Sequence, residues 1–187
     1  MESRNRVHLL AAAVLAGAAL LGAAPARARV LLAQKDALAL AFPGAVPQRR
    51  TAFLTDEQAR AAEKAARAKL ETRVWTYYVA GSTFAYFESH PVRTMNETIM
   101  VVIGADGAVQ FVEILSFAEP DDYLASPRWL AQFNEKPLDD ELALRRGLRG
   151  ITGATLTAEA VARGVRRALA VHGVINPRLE LLSYSAR

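Results

Sequence analysis

Residues 145–159 read Arg-Arg-Gly-Leu-Arg-Gly-Ile-Thr-Gly-Ala-Thr-Leu-Thr-Ala-Glu, a run that concentrates what is needed to hold a phosphate. The apolar spacing of Leu156, Val161, Val165, Ala168 and Leu169 predicts a long helix that starts between Gly153 and Thr157 and runs to about His172, with Arg163, Arg166 and Arg167 on its outer side. The first turn of such a helix has N–H groups without intrahelical acceptors and the positive end of the helix dipole, so an anion is stabilised there. Gly153 and Ala154 let a ligand approach the backbone. Arg145, Arg146 and Arg149 add guanidinium groups, whose forked donors match phosphate oxygens. Thr152, Thr155 and Thr157 offer hydroxyls that can hydrogen-bond a phosphate or be esterified by it. A plainer reading fits the same residues: a threonine that only caps the helix, and a Gly-Ala pair that only eases packing. The residue pattern by itself leaves both open.

Other chemistries find little support. The chain has no cysteine, which removes disulfides, thiolate metal sites, thioether-linked haem and cysteine catalysis. Its histidines, His8, His90 and His172, lack the i, i+4 spacing that puts two imidazoles on one helical face, so a metal centre is not expected. No G-x-S-x-G occurs, and Ser82 has no evident base, which argues against a secreted hydrolase. No G-x-G-x-x-G follows a strand, so direct reaction with a nicotinamide dinucleotide is not expected.

The elements that must position the phosphate-holding run are legible upstream. Val30 through Phe42 has helix-like spacing and stops at Pro43-Gly44, and a second helix is expected from Thr55 or Asp56 to Glu71. The texture then turns aromatic and β-branched. Val74 to Val79 and Thr83 to Phe87 predict a hairpin around Gly81-Ser82, and Thr98 to Ile103 and Ala108 to Leu115 predict two more strands around Gly104-Ala105-Asp106-Gly107. A short helix is expected around Arg128 to Phe133, and Val174-Ile175 with Leu179 to Leu182 could add a last strand. The fold class that results is α+β: an antiparallel sheet of about four or five strands with helices packed against it, in a single domain.

Residues 1–28 have the layout of a secretory signal: Arg4 and Arg6, an apolar run from Leu9 to Ala24, and Ala26-Arg27-Ala28 as an A-x-A site that predicts cleavage after Ala28. The apolar run is shorter than the roughly 20 residues of a spanning helix, although retention as a membrane anchor is an alternative. Three of the 23 Lys and Arg and one of the 19 Asp and Glu lie in this leader, so the remainder carries 20 against 18, a net of +2. That balance, with no mixed basic and aromatic tract, points away from a nucleic-acid partner. About 159 residues remain, enough for one core. Residues 29–72 read as an N-terminal helical segment and 73–187 as the domain that holds the ligand.

Thr152-Gly153-Ala154-Thr155 resembles the S/T-G-A-T flavinylation motif of the FMN-binding domain family, which includes the peripheral flavin subunits of the sodium-pumping NADH:quinone reductase and of Rnf-type complexes. The resemblance covers roughly residues 75 to 172, and the trailing Leu156-Thr157 and apolar helix agree with it. It implies FMN as cofactor, carried as a phosphoester on Thr155 and installed from FAD by a dedicated flavin transferase with magnesium. It implies an electron carrier outside the cytoplasm, served by a membrane or haem-protein redox partner; the alternative is a non-redox periplasmic anion-binding or assembly module. Glu119-Pro120 is reminiscent of the family's Glu-Thr-Pro segment, while Glu119 itself reads as a solvated loop carboxylate. Where the family has Asp, three residues before the first hydroxyl, this chain has Arg149. Either recognition by the transferase loses a carboxylate or Arg149 neutralises the phosphate. Trp129, Tyr123 and Phe133 are candidate walls for the isoalloxazine ring, with the i, i+4 pair Trp129 and Phe133 equally readable as core. His90 reads as a loop residue beside Pro91, with a proton relay near the flavin as its alternative.

Overall fold

A computed structural model describes residues 28–176. The expected leader, but for Ala28, and the expected strand at Leu179 to Leu182 lie outside the described residues.

The sheet grows from the aromatic and β-branched stretches. Strands β3 (Val74–Ala80), β4 (Thr83–Pro91), β5 (Asn96–Ile103) and β6 (Val109–Phe117) form an antiparallel meander. Its β3–β4 and β5–β6 turns place Gly81 at φ 58° and Gly107 at φ 75°, backbone that glycine adopts without strain. Two further strands complete an antiparallel sheet of order β1-β6-β5-β4-β3-β2: β1 (Arg29–Val30) on one edge and β2 (Gln48–Phe53) on the other. The fold is therefore α+β as expected, with six strands. Both extra strands fall in the stretch expected to be helical. β2 escapes detection because Gln-Arg-Arg-Thr-Ala-Phe has no buried face to impose alternation: the strand is exposed nearly throughout and pairs only with β3.

Period-two alternation divides the core between the two faces of the sheet. Phe84 and Tyr86 of β4 face helices α2 (Asp56–Ala66) and α4 (Thr155–Ile175), with Ile99 and Val101 of β5 beside them. Ala85, Met100, Val102 and Leu115 face α1 (Gln34–Ala41) on the opposite side. Continuing the alternation, Glu88 and His90 fall on the α4 face, where helix and strand run side by side.

Four helical expectations change. The first helix starts at Gln34 because Arg29–Val30 pairs with Ser116 and Phe117 of β6. α2 ends at Ala66, not Glu71: Arg67 turns left-handed at φ 55°, and the Glu63 carboxylate accepts from Leu70 N at 3.1 Å, folding the chain back. α4 runs on through Ile175, so Val174-Ile175 is helical and not a strand. Arg166 and Arg167 are buried, not outward. Arg166 donates to the carbonyls of Ala66 (2.8 Å), Ala65 (3.1 Å), Asp139 (2.6 Å) and Leu142 (3.2 Å), tying the end of α2 and the 139–142 loop to α4. Arg163 alone of the three stays at the surface, 3.6 Å from Glu159.

Candidate functional site

α4 begins without a side-chain cap: its N-cap is Ala154, and none of the neighbouring threonines closes the first turn. Of the other α-helices, α1 likewise starts at an alanine without a side-chain cap, while α2 and the short helix α3 (Pro127–Leu130) are capped by hydroxyls. Thr55 forms a reciprocal capping box with Gln58 on α2, and Ser126 accepts from Trp129 N on α3. The capping explanation for the threonine run therefore fails. Gly153 sits at φ 80° with open space beside it, a backbone turn that exposes the helix start.

A cleft of about 260 Å³ opens at this point, lined by Arg93, Tyr123 and the stretch Gly153 to Thr157. Thr155 is exposed within it, whereas Thr157 is 1 % exposed. Leu156 stands at the lip with 47 % of its surface free. Thr152 is exposed but does not line the cleft. One hydroxyl is thus both reachable and at the uncapped helix start, that of Thr155.

The opposite wall is the β4–β5 turn, closed by Val92 N donating to Met95 O at 3.0 Å. Glu119, reaching from beyond β6, accepts the N–H groups of Thr94 (2.8 Å), Met95 (3.0 Å) and Arg93 (3.2 Å). These bonds, that from Thr94 foremost, hold its carboxyl below the usual range. Glu119 is therefore a buried clamp and not a solvated loop residue. The turn it fixes carries the Arg93 guanidinium to 5.3 Å from the centre of the Tyr123 ring.

The remaining sequence candidates lie elsewhere. Trp129 and Arg149 line a separate cleft of about 570 Å³ with Arg128, Gln132 and Lys136. There Trp129 Nε1 donates to Arg149 O at 2.7 Å, and Gln132 Oε1 accepts from Arg149 N at 2.9 Å. Trp129 and Phe133 are buried edge to face at 5.4 Å, as core residues do. Arg145 is exposed with φ 64°, and Arg146 lies 3.5 Å from Asp140. None of the three arginines expected to serve the phosphate lines the cleft around Thr155.

His90 is no loop residue. It is 2 % exposed in β4, its Nδ1 bonded to Glu88 and its Nε2 3.3 Å from Glu97 Oε2 across the ladder. Glu88 in turn meets Arg167 of α4 at 2.5 Å. Burial opposes charge on His90, yet the two carboxylates hold its imidazolium up to about 9. Burial pushes the Glu97 carboxyl upward, and its Oε1 has no partner among the described residues.

Residues 95–170 match the FMN-binding domain family. The chain carries an FMN-binding domain. No curated protein matches it. The matched stretch runs from β5 to the later turns of α4 and includes the whole Thr152–Thr155 motif, so FMN is the cofactor of this domain. The residues present suit that group: an uncapped helix start for the phosphate, a reachable threonine hydroxyl, and an apolar and aromatic lip from Leu156 and Tyr123 for the ring. Bound FMN supplies redox chemistry that no side chain here provides. Sequence reasoning missed Arg93 and the buried Glu88–His90–Glu97–Arg167 cluster. Only the sheet register brings Arg93 across from Thr155, and a hairpin position gives no periodic signal. For the cluster, the clue was the parity of Glu88 and His90 with the core residues Phe84 and Tyr86.

Proposed function

We propose that this FMN-binding domain is an exported electron carrier that holds FMN as a phosphoester on Thr155. The observation that carries the reading is the contrast between the exposed Thr155 and the buried Thr157 at an uncapped helix start. A transferase needs a hydroxyl it can reach. In the attachment step the Thr155 oxygen attacks the FMN-side phosphorus of FAD, AMP leaves, and the hydroxyl proton passes to a base of the transferase. Retention of the cofactor by a covalent bond suits a protein outside the cytoplasm, where a lost flavin is not replaced. Cleavage after Ala28 would leave β1, which starts at Arg29, intact. Electrons would come from a membrane or haem-protein donor and pass to a second partner.

The test is co-expression of the mature chain with a flavin transferase, followed by intact mass and in-gel flavin fluorescence. The expected result is one FMN adduct, abolished by Thr155→Ala and retained by Thr157→Ala. An unmodified mass with a colourless product would remove the covalent reading; a noncovalent yellow product would remove only the ester. A visible spectrum that fails to respond to dithionite and re-oxidation would favour a non-redox binding role.

A further inference from the structure

We propose that Arg93 is the residue by which the domain distinguishes a phosphorylated flavin from an unphosphorylated one; this rests on FMN occupying the cleft around Thr155. Of the residues lining that cleft, Arg93 alone is charged. Among the described residues its guanidinium has no carboxylate within ion-pair distance; the same holds for other arginines, Arg128, Arg145 and Arg149 among them, but none of those lines the cleft at the start of α4. A cation left without a counter-charge beside an uncapped helix start is arranged for an anion that arrives from outside. The position is built in advance. Glu119 fixes the backbone of residues 93–95 through three N–H groups, and the Tyr123 ring lies beneath the guanidinium. Arg93 therefore loses little conformational freedom when it pairs with a phosphate. It lies two positions before the stretch that matches the family, so the assignment comes from the geometry of this chain. Arg149, the guanidinium nearest the motif in sequence, lines the other cleft.

Free FMN carries a phosphate of charge about −1.5 to −2 at neutral pH, and riboflavin carries none. Binding of each flavin to the mature Thr155→Ala chain, which cannot form the ester, is measured by flavin fluorescence quenching at low and high salt. FMN is expected to bind more tightly than riboflavin. Arg93→Gln is expected to weaken FMN at least ~10-fold with riboflavin unchanged, so that the preference and its salt dependence collapse, while Arg93→Lys recovers part of it. Arg149→Gln is expected to leave the preference intact. Equal weakening of both flavins by Arg93→Gln, or a preference that survives it, would overturn the assignment, as would a preference that follows Arg149. A parent chain that takes up neither flavin would overturn the flavin site itself, a separate result from loss of selectivity. Unchanged circular dichroism melting of each variant separates these outcomes from misfolding.

Discussion

Gly164 of α4 lies against the carboxylate of Glu88: a β-carbon at that position would stand 2.7 Å from Glu88 Oε2 and 3.0 Å from His90 Cε1. Glycine in mid-helix is ordinarily a weak choice, by about 1 kcal/mol against alanine. Here it sets how closely the helix approaches the charged cluster. Gly164→Ala is expected to destabilise the fold by roughly 1–3 kcal/mol despite the better helix propensity, because Glu88 is held by both His90 and Arg167 and has nowhere to go. Urea unfolding monitored by circular dichroism reads this as a lower midpoint. A raised midpoint would show that the cluster yields.

Two buried histidines act on the pH dependence of stability in opposite directions. His90 is raised to about 9 in the fold from an ordinary 6.5, so the folded state keeps a proton that the unfolded state releases, and stability falls as pH rises from 6.5 towards 9. Burial lowers His172 to about 4, so the unfolded state binds a proton that the folded state refuses, and stability falls as pH drops from 6.5 towards 4. A maximum near neutrality follows. Thermal melts across pH 4.5–9 are expected to show it, with His90→Gln flattening the alkaline limb and His172→Asn the acid limb. An alkaline limb unchanged in His90→Gln would mean that the cluster does not hold the proton.

Arg166 gathers four carbonyls from two segments. Arg166→Met keeps the stem but leaves those buried acceptors unpaired, at about 3 kcal/mol or more. Arg166→Lys, with one nitrogen in place of a forked donor set, is expected to recover less than half of the loss. The urea midpoint measures both, and hydrogen exchange is expected to show the 139–142 loop opening first.

Gly153→Ala tests the turn before α4. Open space surrounds the position, so the penalty is conformational: an L residue at φ 80° costs roughly 1–2 kcal/mol. The variant is expected to load less FMN and to melt a few degrees lower. Gly150→Ala, where the backbone is unstrained and nothing lies within 4 Å, is expected to match the parent in both. Flavin absorbance per protein and a melting curve suffice.

Local signals carried much of the fold. β3 to β6 are visible because each combines β-branched or aromatic residues with glycine turns, and α2 is visible because Thr55 caps it. β2 was hidden because an edge strand with solvent on both faces needs no apolar alternation. The phosphate-holding turn was legible because helix start, glycine and hydroxyls are contiguous. Its charge was misplaced, since arginines close in sequence to Thr155 point the eye to Arg149, while the ladder pairing of Pro91 with Asn96 is what delivers Arg93. The burial of Arg166 and Arg167 was concealed for a similar reason. Helical spacing marks a face, and whether that face meets water or a carboxylate on the sheet depends on residues far along the chain.

The outermost strand, hidden from view by its polarity, protects the molecule through that same property. β2 presents Arg49 and Arg50 along a rim whose far-side N–H and C=O groups have no ladder partner among the described residues, with Phe53 74 % exposed at its end. Two copies approaching rim to rim would bring four guanidinium charges together before any backbone bond could form. The chain is thereby kept from polymerising through its own sheet.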